Sequence, residues 1–226
     1  LGDVYKRQNQ YDRFLNKLYL DIFSGRNYPK FFLNYINKYQ INIDFTKEDS
    51  YEFDRLYSDF MSFSYYQSQT VKANGKDFNT LVMDQIVDNK YVDRSEWNWE
   101  IDPVGLRISM ENIFADSNVP VFIIENGIGL REELPENEYI KDDIRISYHK
   151  SHINQMKEAM KFGVDCIGYL GWGLIDILSS SGDMSKRYGA VYVNRENHDL
   201  KDLRRIKKKS FDYFKTVFNQ NILKEI

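Results

Sequence analysis

Cysteine is almost missing from these 226 residues: Cys166 stands alone. One thiol excludes an internal disulfide framework and fits a reducing cytoplasm. Histidine is nearly as scarce. His149 and His152 share a helix face by spacing and His198 lies apart, but no cysteines or acids cluster with them, so no metal site is expected. No apolar run is long enough to span a bilayer, and no signal peptide is expected from these residues. Charge of one sign is missing too. The net charge is -3 with acids and bases interspersed, so neither nucleic acid nor a membrane is expected as a partner. There is no initiator methionine. The opening Leu1-Gly2-Asp3-Val4-Tyr5-Lys6-Arg7-Gln8 fits neither a helix cap nor a strand, so the chain is expected to begin inside a longer protein, with its first eight or so residues not native.

What is present suffices for a sizeable core: 42% of residues are hydrophobic and 15% aromatic. Tyr11 to Phe23 carries Phe14, Leu15, Leu18, Tyr19 and Ile22 at a helical period, stopped by Ser24-Gly25. Pro29 reads as the first residue of a second helix, and Thr46 with Asp49 as the capping box of a third. Asp59 to Tyr66 reads as a strand, Ala73 to Asp93 as a long polar loop, and Ser95 to Ile101 as a strand end. Asp102-Pro103 opens a helix to about Phe114. A strand at Pro120–Asn126, a charged loop, a helix from Asp143 to Phe162 and a strand from Asp165 follow. Ala190–Val193 reads as a short strand, Lys201–Lys209 as a solvated basic run, and Ser210–Phe218 as a closing helix. Alternating strands and helices are the pattern of parallel α/β units, and about four are counted.

Pro120-Val121-Phe122-Ile123-Ile124-Glu125-Asn126-Gly127 is the stretch that carries chemistry. Continuous β-branched apolarity suits a strand buried on both faces, and Asn-Gly stops it. Glu125 then sits at the C-terminal mouth of the sheet, where α/β proteins bind ligands. Read locally, it is either a strand-end acid or a nucleophile or general base. Tyr66 ends a separate strand and supplies a hydroxyl suited to pinning a carboxylate, or else is a rim tyrosine. Trp97, Trp99 and Trp172 fall near strand ends and offer either sugar platforms or core packing. Ser179, Ser180 and Ser181, followed by Lys186 and Tyr188, make either a surface loop or a set of donors for a phosphate dianion.

Several of these segments together resemble glycoside hydrolase family 1. Pro120–Gly127 is similar to its nucleophile motif, ending Glu-Asn-Gly. Trp97–Leu106 (W-N-W-E-I-D-P-V-G-L), Phe63–Tyr66 (F-S-Y-Y), Tyr169–Asp176 (Y-L-G-W-G-L-I-D) and Lys186–Val193 (K-R-Y-G-A-V-Y-V) resemble further family segments, in the family's order. The resemblance implies a (β/α)8 TIM barrel, of which this chain covers roughly the C-terminal half (strands 5–8 and their helices) as part of a single domain over residues 1–226. It implies retaining glycoside hydrolysis, with Glu125 as nucleophile, Tyr66 hydrogen-bonded to it and Trp172 beneath the sugar, and no cofactor.

Two departures refine this. Family members acting on plain sugars carry Asp-Asn-Phe-Glu-Trp after the last strand, whereas this chain reads Asp176-Ile177-Leu178-Ser179-Ser180. A glutamate at Ser179 would repel a 6-phosphate and a serine accepts it, so the loop resembles the 6-phospho-β-glucosidase branch. Ser180 stands where phospho-β-galactosidases tend to carry tryptophan, and a small residue there leans toward gluco substrates. The expected partner is a 6-phosphorylated β-glucoside in a bacterial cytosol. The second departure is that the family's acid/base glutamate lies in an Asn-Glu-Pro motif, and none occurs here. These residues by themselves are therefore expected to be nearly inactive. A non-catalytic phospho-sugar-binding half-barrel, which a symmetric homo-oligomer would favour, and a 6-phospho-β-galactosidase remain the alternatives. An aldolase-type barrel would place a lysine at a strand end, and none of the strands read from the sequence ends in one.

Overall fold

The computed structural model describes residues 2–72 and 86–220. The chain divides into two units that interleave in sequence, one of residues 1–61, 69–89 and 112–120, the other of residues 62–68, 90–111 and 121–226. The first unit is mainly helical. α1 (Gly2–Asp12) passes through a π turn (Arg13–Lys17) into α2 (Leu18–Phe23). The opening residues, which in the sequence fit neither a helix cap nor a strand, lie in this helix. They carry no cap signal, and burial of Arg7, Tyr11 and Leu18 accompanies the helix instead. Gly25 ends it in a left-handed conformation (φ 72°), and a Cβ there would lie 2.5 Å from the Leu56 carbonyl oxygen. Pro29 is the cap of α3 (Lys30–Lys38) rather than its first residue, because its ψ of 149° is extended. Thr46 and Asp49 form the expected capping box on α4 (Lys47–Arg55). Tyr28 packs on Phe32, Phe45 and Phe53 with ring centroids 5.1, 5.5 and 5.2 Å away. After β1 (Met61–Tyr65), β2 (Thr70–Val71) pairs antiparallel with β3 (Ile86–Val87). Residues 73–85 of the expected polar loop lie outside the described residues.

In the second unit, Asp93–Ile101 is a hairpin turn and not a strand end. Arg94 and Glu100 bridge antiparallel, and Asn98 sits at its tip with a φ of 61°. Period-2 reading cannot separate a tight hairpin of alternating tryptophans from a strand. Asp102 Oδ1 accepts the Gly105 N–H at 2.9 Å and so caps α5 (Pro103–Ser117), as its sequence predicts. β4 (Val121–Asn126) stops at Asn-Gly. α6 (Asp143–Lys161) crosses to β5 (Cys166–Gly171), which runs parallel to β4, as a βαβ connection requires. A Cβ on Gly168 would stand 2.6 Å from the Phe122 ring, so the glycine lets that ring lie across the neighbouring strand.

β1, β4 and β5 form one sheet in that order. Of the strands read from the sequence, three lie in this sheet. The fourth candidate, β6 (Val191–Val193), pairs antiparallel with β7 (Arg205–Lys207) inside the basic run that was expected to be solvated. α7 (Lys209–Asn219) closes the chain, with Phe214 packed edge-on against His149 of α6 at 4.7 Å. Val121 and Ile123 of β4 are fully buried, while Ile167 and Leu170 of β5 are exposed. No helix among the described residues is long and apolar enough to cross a membrane.

Candidate active site

β4 ends with Glu125 one residue from its tip, and Tyr66 is the first residue after β1. Because β1 and β4 are neighbours, the two side chains meet: Tyr66 Oη donates to Glu125 Oε2 at 3.1 Å. Burial, and then the Glu125 charge, push the Tyr66 phenol well above its ordinary value, so it stays a protonated donor. The next residue, Asn126, is fully buried and holds the strand tip in place. Its Nδ2 donates to the Tyr65 carbonyl at 2.7 Å and to Tyr148 Oη at 3.2 Å. A carbonyl can only accept, so the amide orientation is settled, and Oδ1 must accept from Tyr169 Oη at 2.7 Å. The tyrosine hydrogen is thereby used, and His149 Nδ1, 2.7 Å from the same oxygen, carries a proton and donates it. A polar chain thus runs from α6 through β5 to the residue beside Glu125.

The other residues singled out in the sequence divide into two sets. Trp172, Tyr188, Lys186, Trp97 and Trp99 come together around the loop after Glu125. The Trp172 N–H donates to the Asn126 carbonyl at 2.8 Å. A Cβ on Gly127 would lie 3.3 Å from Trp172 Cβ and 3.4 Å from Tyr188 Cδ1, so both side chains rest on the backbone that follows the carboxylate. Trp99 meets Tyr66 edge-on at 5.6 Å. Lys186 Nζ lies 3.5 Å from the Trp99 ring centroid, and Arg131 stacks on Trp97 at 4.2 Å. The serines form the second set. Ser179 Oγ accepts the Asp183 N–H at 3.1 Å and lies 2.9 Å from Ser181 Oγ, while Ser180 and Ser181 are exposed. Among the described residues no hydrogen bond joins these serines to Lys186 or Tyr188. The loop closes on itself, which a reading of hydroxyl content alone does not foresee.

A family model for glycosyl hydrolase family 1 matches residues 2–223. The chain belongs to this family. An aryl-phospho-beta-D-glucosidase of Bacillus subtilis (strain 168) is 40% identical over 201 residues, covering 86% of this chain and 42% of the relative. A 6-phospho-beta-glucosidase of Escherichia coli (strain K12) is 37% identical over 209 residues, covering 91% and 44%. Among solved structures, a beta-glucosidase from Thermotoga maritima in complex with castanospermine superimposes with a TM-score of 0.77 at 28% identity, covering 95% of this chain and 46% of that one. This family 1 chain therefore spans a little under half the length of the relatives it matches and has the fold of about half a (β/α)8 barrel.

Sequence reading missed the charges beneath the site. Arg145 of α6 is fully buried. Its Nε meets both Asp142 oxygens at 3.1 and 2.9 Å, its Nη2 meets Glu132 at 2.5 Å, and its Nη1 donates to the Ile128 and Arg187 carbonyls at 2.7 and 3.1 Å. Burial works against the Arg145 cation, yet Asp142 and Glu132 outweigh it and push its pKa up. Lys208, expected in a solvated run, is buried between Glu132 and Asp176. Asp176 also pairs with Arg187 at 3.1 Å. Backbone bonds between Leu130 and Arg187 complete the link, so the segment carrying Lys186 and Tyr188 is tied to the loop after Glu125. The partners come from distant parts of the chain, with no periodicity to betray them. Removing one member strands its partners as buried charges. Arg145→Met is expected to lower unfolding free energy in urea by about 3–5 kcal/mol. Arg204→Ala, which breaks only exposed pairs with Glu138 and Asp202, is expected to leave the midpoint unchanged. Equal midpoints for the two variants would contradict this account.

The buried histidines give stability a pH dependence. Burial pushes His152 down from 6.5 to about 4. Burial, then Arg145 and His152, hold His149 well below its ordinary value. Both rings are neutral in the folded chain near neutral pH, and each gains a proton on unfolding once pH falls below 6.5. The unfolded state then binds more protons, so stability falls from pH 6.5 down to about 4 and neither ring contributes to the slope above 6.5. Each histidine adds at most about 1.4 kcal/mol per pH unit. Urea midpoints are expected to fall across that window, and less steeply in His152→Phe; identical slopes would remove His152 from the explanation.

Proposed function

We propose that this chain supplies the nucleophile half of a retaining 6-phospho-β-glucosidase. The hydrogen bond between Tyr66 and Glu125 carries the reading: a strand-tip carboxylate, half-buried and pinned by a phenol, is oriented for attack on an anomeric carbon. In the first step a Glu125 oxygen bonds to the anomeric carbon as the bond to the leaving oxygen breaks, and a general acid protonates that oxygen. In the second step water, deprotonated by the same group, displaces Glu125 and releases glucose 6-phosphate. These 226 residues contain no Asn-Glu-Pro to supply the acid. Trp172, Trp97 and Trp99 are assigned to sugar contacts. Lys186 and Tyr188, with the hydroxyls of Ser179, Ser180 and Ser181, are assigned to the 6-phosphate. The names of the curated relatives, aryl-phospho-beta-D-glucosidase and 6-phospho-beta-glucosidase among them, support the phosphorylated substrate.

The test is a chimaera in which this chain replaces the matching segment of the Bacillus subtilis relative. It is expected to hydrolyse nitrophenyl 6-phospho-β-glucoside with kcat/KM at least about 10²-fold above that for nitrophenyl β-glucoside, the scale expected when a paired buried cation loses its anion. Preference for the unphosphorylated glucoside would overturn the phosphate assignment and leave Glu125 untouched.

A further inference from the structure

The contact between Lys186 and the tryptophans is not needed by this chemistry, and it has the wrong geometry for a waiting phosphate ligand. Lys186 is only 9% exposed. Among the described residues its ammonium makes no ion pair; it rests on aromatic faces, 3.5 Å from the Trp99 centroid, 5.3 Å from Trp97 and 5.7 Å from Tyr188. Burial lowers its pKa, against the Asp183 charge, which raises it. The stem of the side chain lies flat against Gly129, where a Cβ would come within 2.6 Å of Lys186 Cγ and 3.0 Å of Cε. Gly129 has no left-handed φ, so room for the lysine stem is what a side chain there would remove. Trp99 in turn meets Tyr66 edge-on, and Tyr66 bonds Glu125. The cavity left among Tyr66, Trp97, Trp99, Gly127, Gly129 and Lys186 measures about 10 Å³, room for roughly one water and no pyranose.

The geometry points to Lys186 as a phosphate-operated plug: in the empty site it is seated on Trp99 and Trp97 and closes the cavity beside Tyr66, and a phosphate group lifts it off and opens that cavity. This rests on the phospho-glucoside reading above and adds to it a reason why plain glucosides are excluded. A cation on an indole face is worth from about twofold in an equilibrium constant when exposed to about thirtyfold or more when desolvated. A charge-assisted bond to a phosphate dianion is stronger, so the ammonium transfers to it. A neutral sugar hydroxyl offers no such exchange.

The consequence has an unusual sign. If the indole competes with phosphate for the ammonium, removing the indole must tighten phosphate binding. Titration calorimetry with inorganic phosphate and with glucose 6-phosphate on the full 226-residue chain reads this directly. Lys186→Met is expected to weaken binding of both more than tenfold. Trp99→Leu is expected to bind inorganic phosphate at least about twofold tighter than wild type. Gly129→Ala, which leaves both tryptophans in place and denies the stem its seat while its Cβ also comes within 3.2 Å of Tyr188 Cζ, is expected to tighten it likewise and serves if Trp99→Leu unfolds. Loss of binding in Lys186→Met together with unchanged or weaker binding in Gly129→Ala overturns the plug and keeps Lys186 as the phosphate ligand. Unchanged binding in Lys186→Met, or no binding by wild type, overturns the plug and the phosphate role of Lys186 together, while the Glu125 assignment is judged separately by its own chemistry.

Discussion

Replacing Glu125 by glycine in the chimaera is expected to lower turnover of dinitrophenyl 6-phospho-β-glucoside by on the order of 10⁴ to 10⁶. Azide is expected to restore part of that loss, with the α-glycosyl azide 6-phosphate as product. In the proposed mechanism the carboxylate attacks one face of the anomeric carbon and water later replaces it from the other, so configuration would be retained. With the carboxylate gone, azide fits the vacated space and attacks once. The bond to the dinitrophenolate breaks as the nitrogen–carbon bond forms, and configuration inverts. A leaving group this stable needs no proton. A residue acting as general acid would behave differently: its loss would spare dinitrophenyl substrates, and azide would yield the β product. Recovery of β-azide, or a loss under tenfold, would remove Glu125 from the nucleophile role. Tyr66→Phe deletes one hydrogen bond to a charged group and is expected to cost roughly tenfold to a hundredfold in kcat, far less than the carboxylate itself.

The 226-residue chain on its own is expected to hydrolyse nitrophenyl 6-phospho-β-glucoside at least about 10²-fold more slowly than the chimaera, because general acid catalysis alone is worth about 10²–10⁴ and no Asn-Glu-Pro lies in these residues. The deficit should depend on the leaving group. Dinitrophenolate departs unaided and should narrow the gap; an alkyl glucoside needs its oxygen protonated and should widen it. Turnover of the lone chain within tenfold of the chimaera on every substrate would show that another residue donates the proton. Glu132 is poorly suited, since it is committed to Arg145 and Lys208.

Local chemistry was legible where it was written in adjacent residues. The Thr46–Asp49 capping box, the Asp102 cap, the stop of β4 at Asn-Gly and the span of α6 all follow from neighbours along the chain. Elements whose identity depends on a distant partner were not legible. Alternation alone made Ser95–Ile101 a strand, although it turns back on itself at Asn98. Density of charge made Lys208 solvated, although Glu132 and Asp176 enclose it.

By itself the sequence determined which residue types occur, where several elements are capped or stopped by adjacent residues, and, from its motifs, the family. Glu125 is the clearest case, since its apolar run and the Asn-Gly after it dictate a carboxylate at a strand tip. Only the tertiary structure decided what that carboxylate meets. Tyr66 lies 59 residues away in sequence and reaches Glu125 because β1 and β4 are sheet neighbours. The same holds for Lys186: its position in a donor-rich segment suggested a phosphate ligand, while the packing of Trp99 and the bare backbone of Gly129 set where its ammonium rests. The physical reason is common to both. Propensity and capping act over a few residues, whereas electrostatic and aromatic contacts act through space and are set only once the chain has folded.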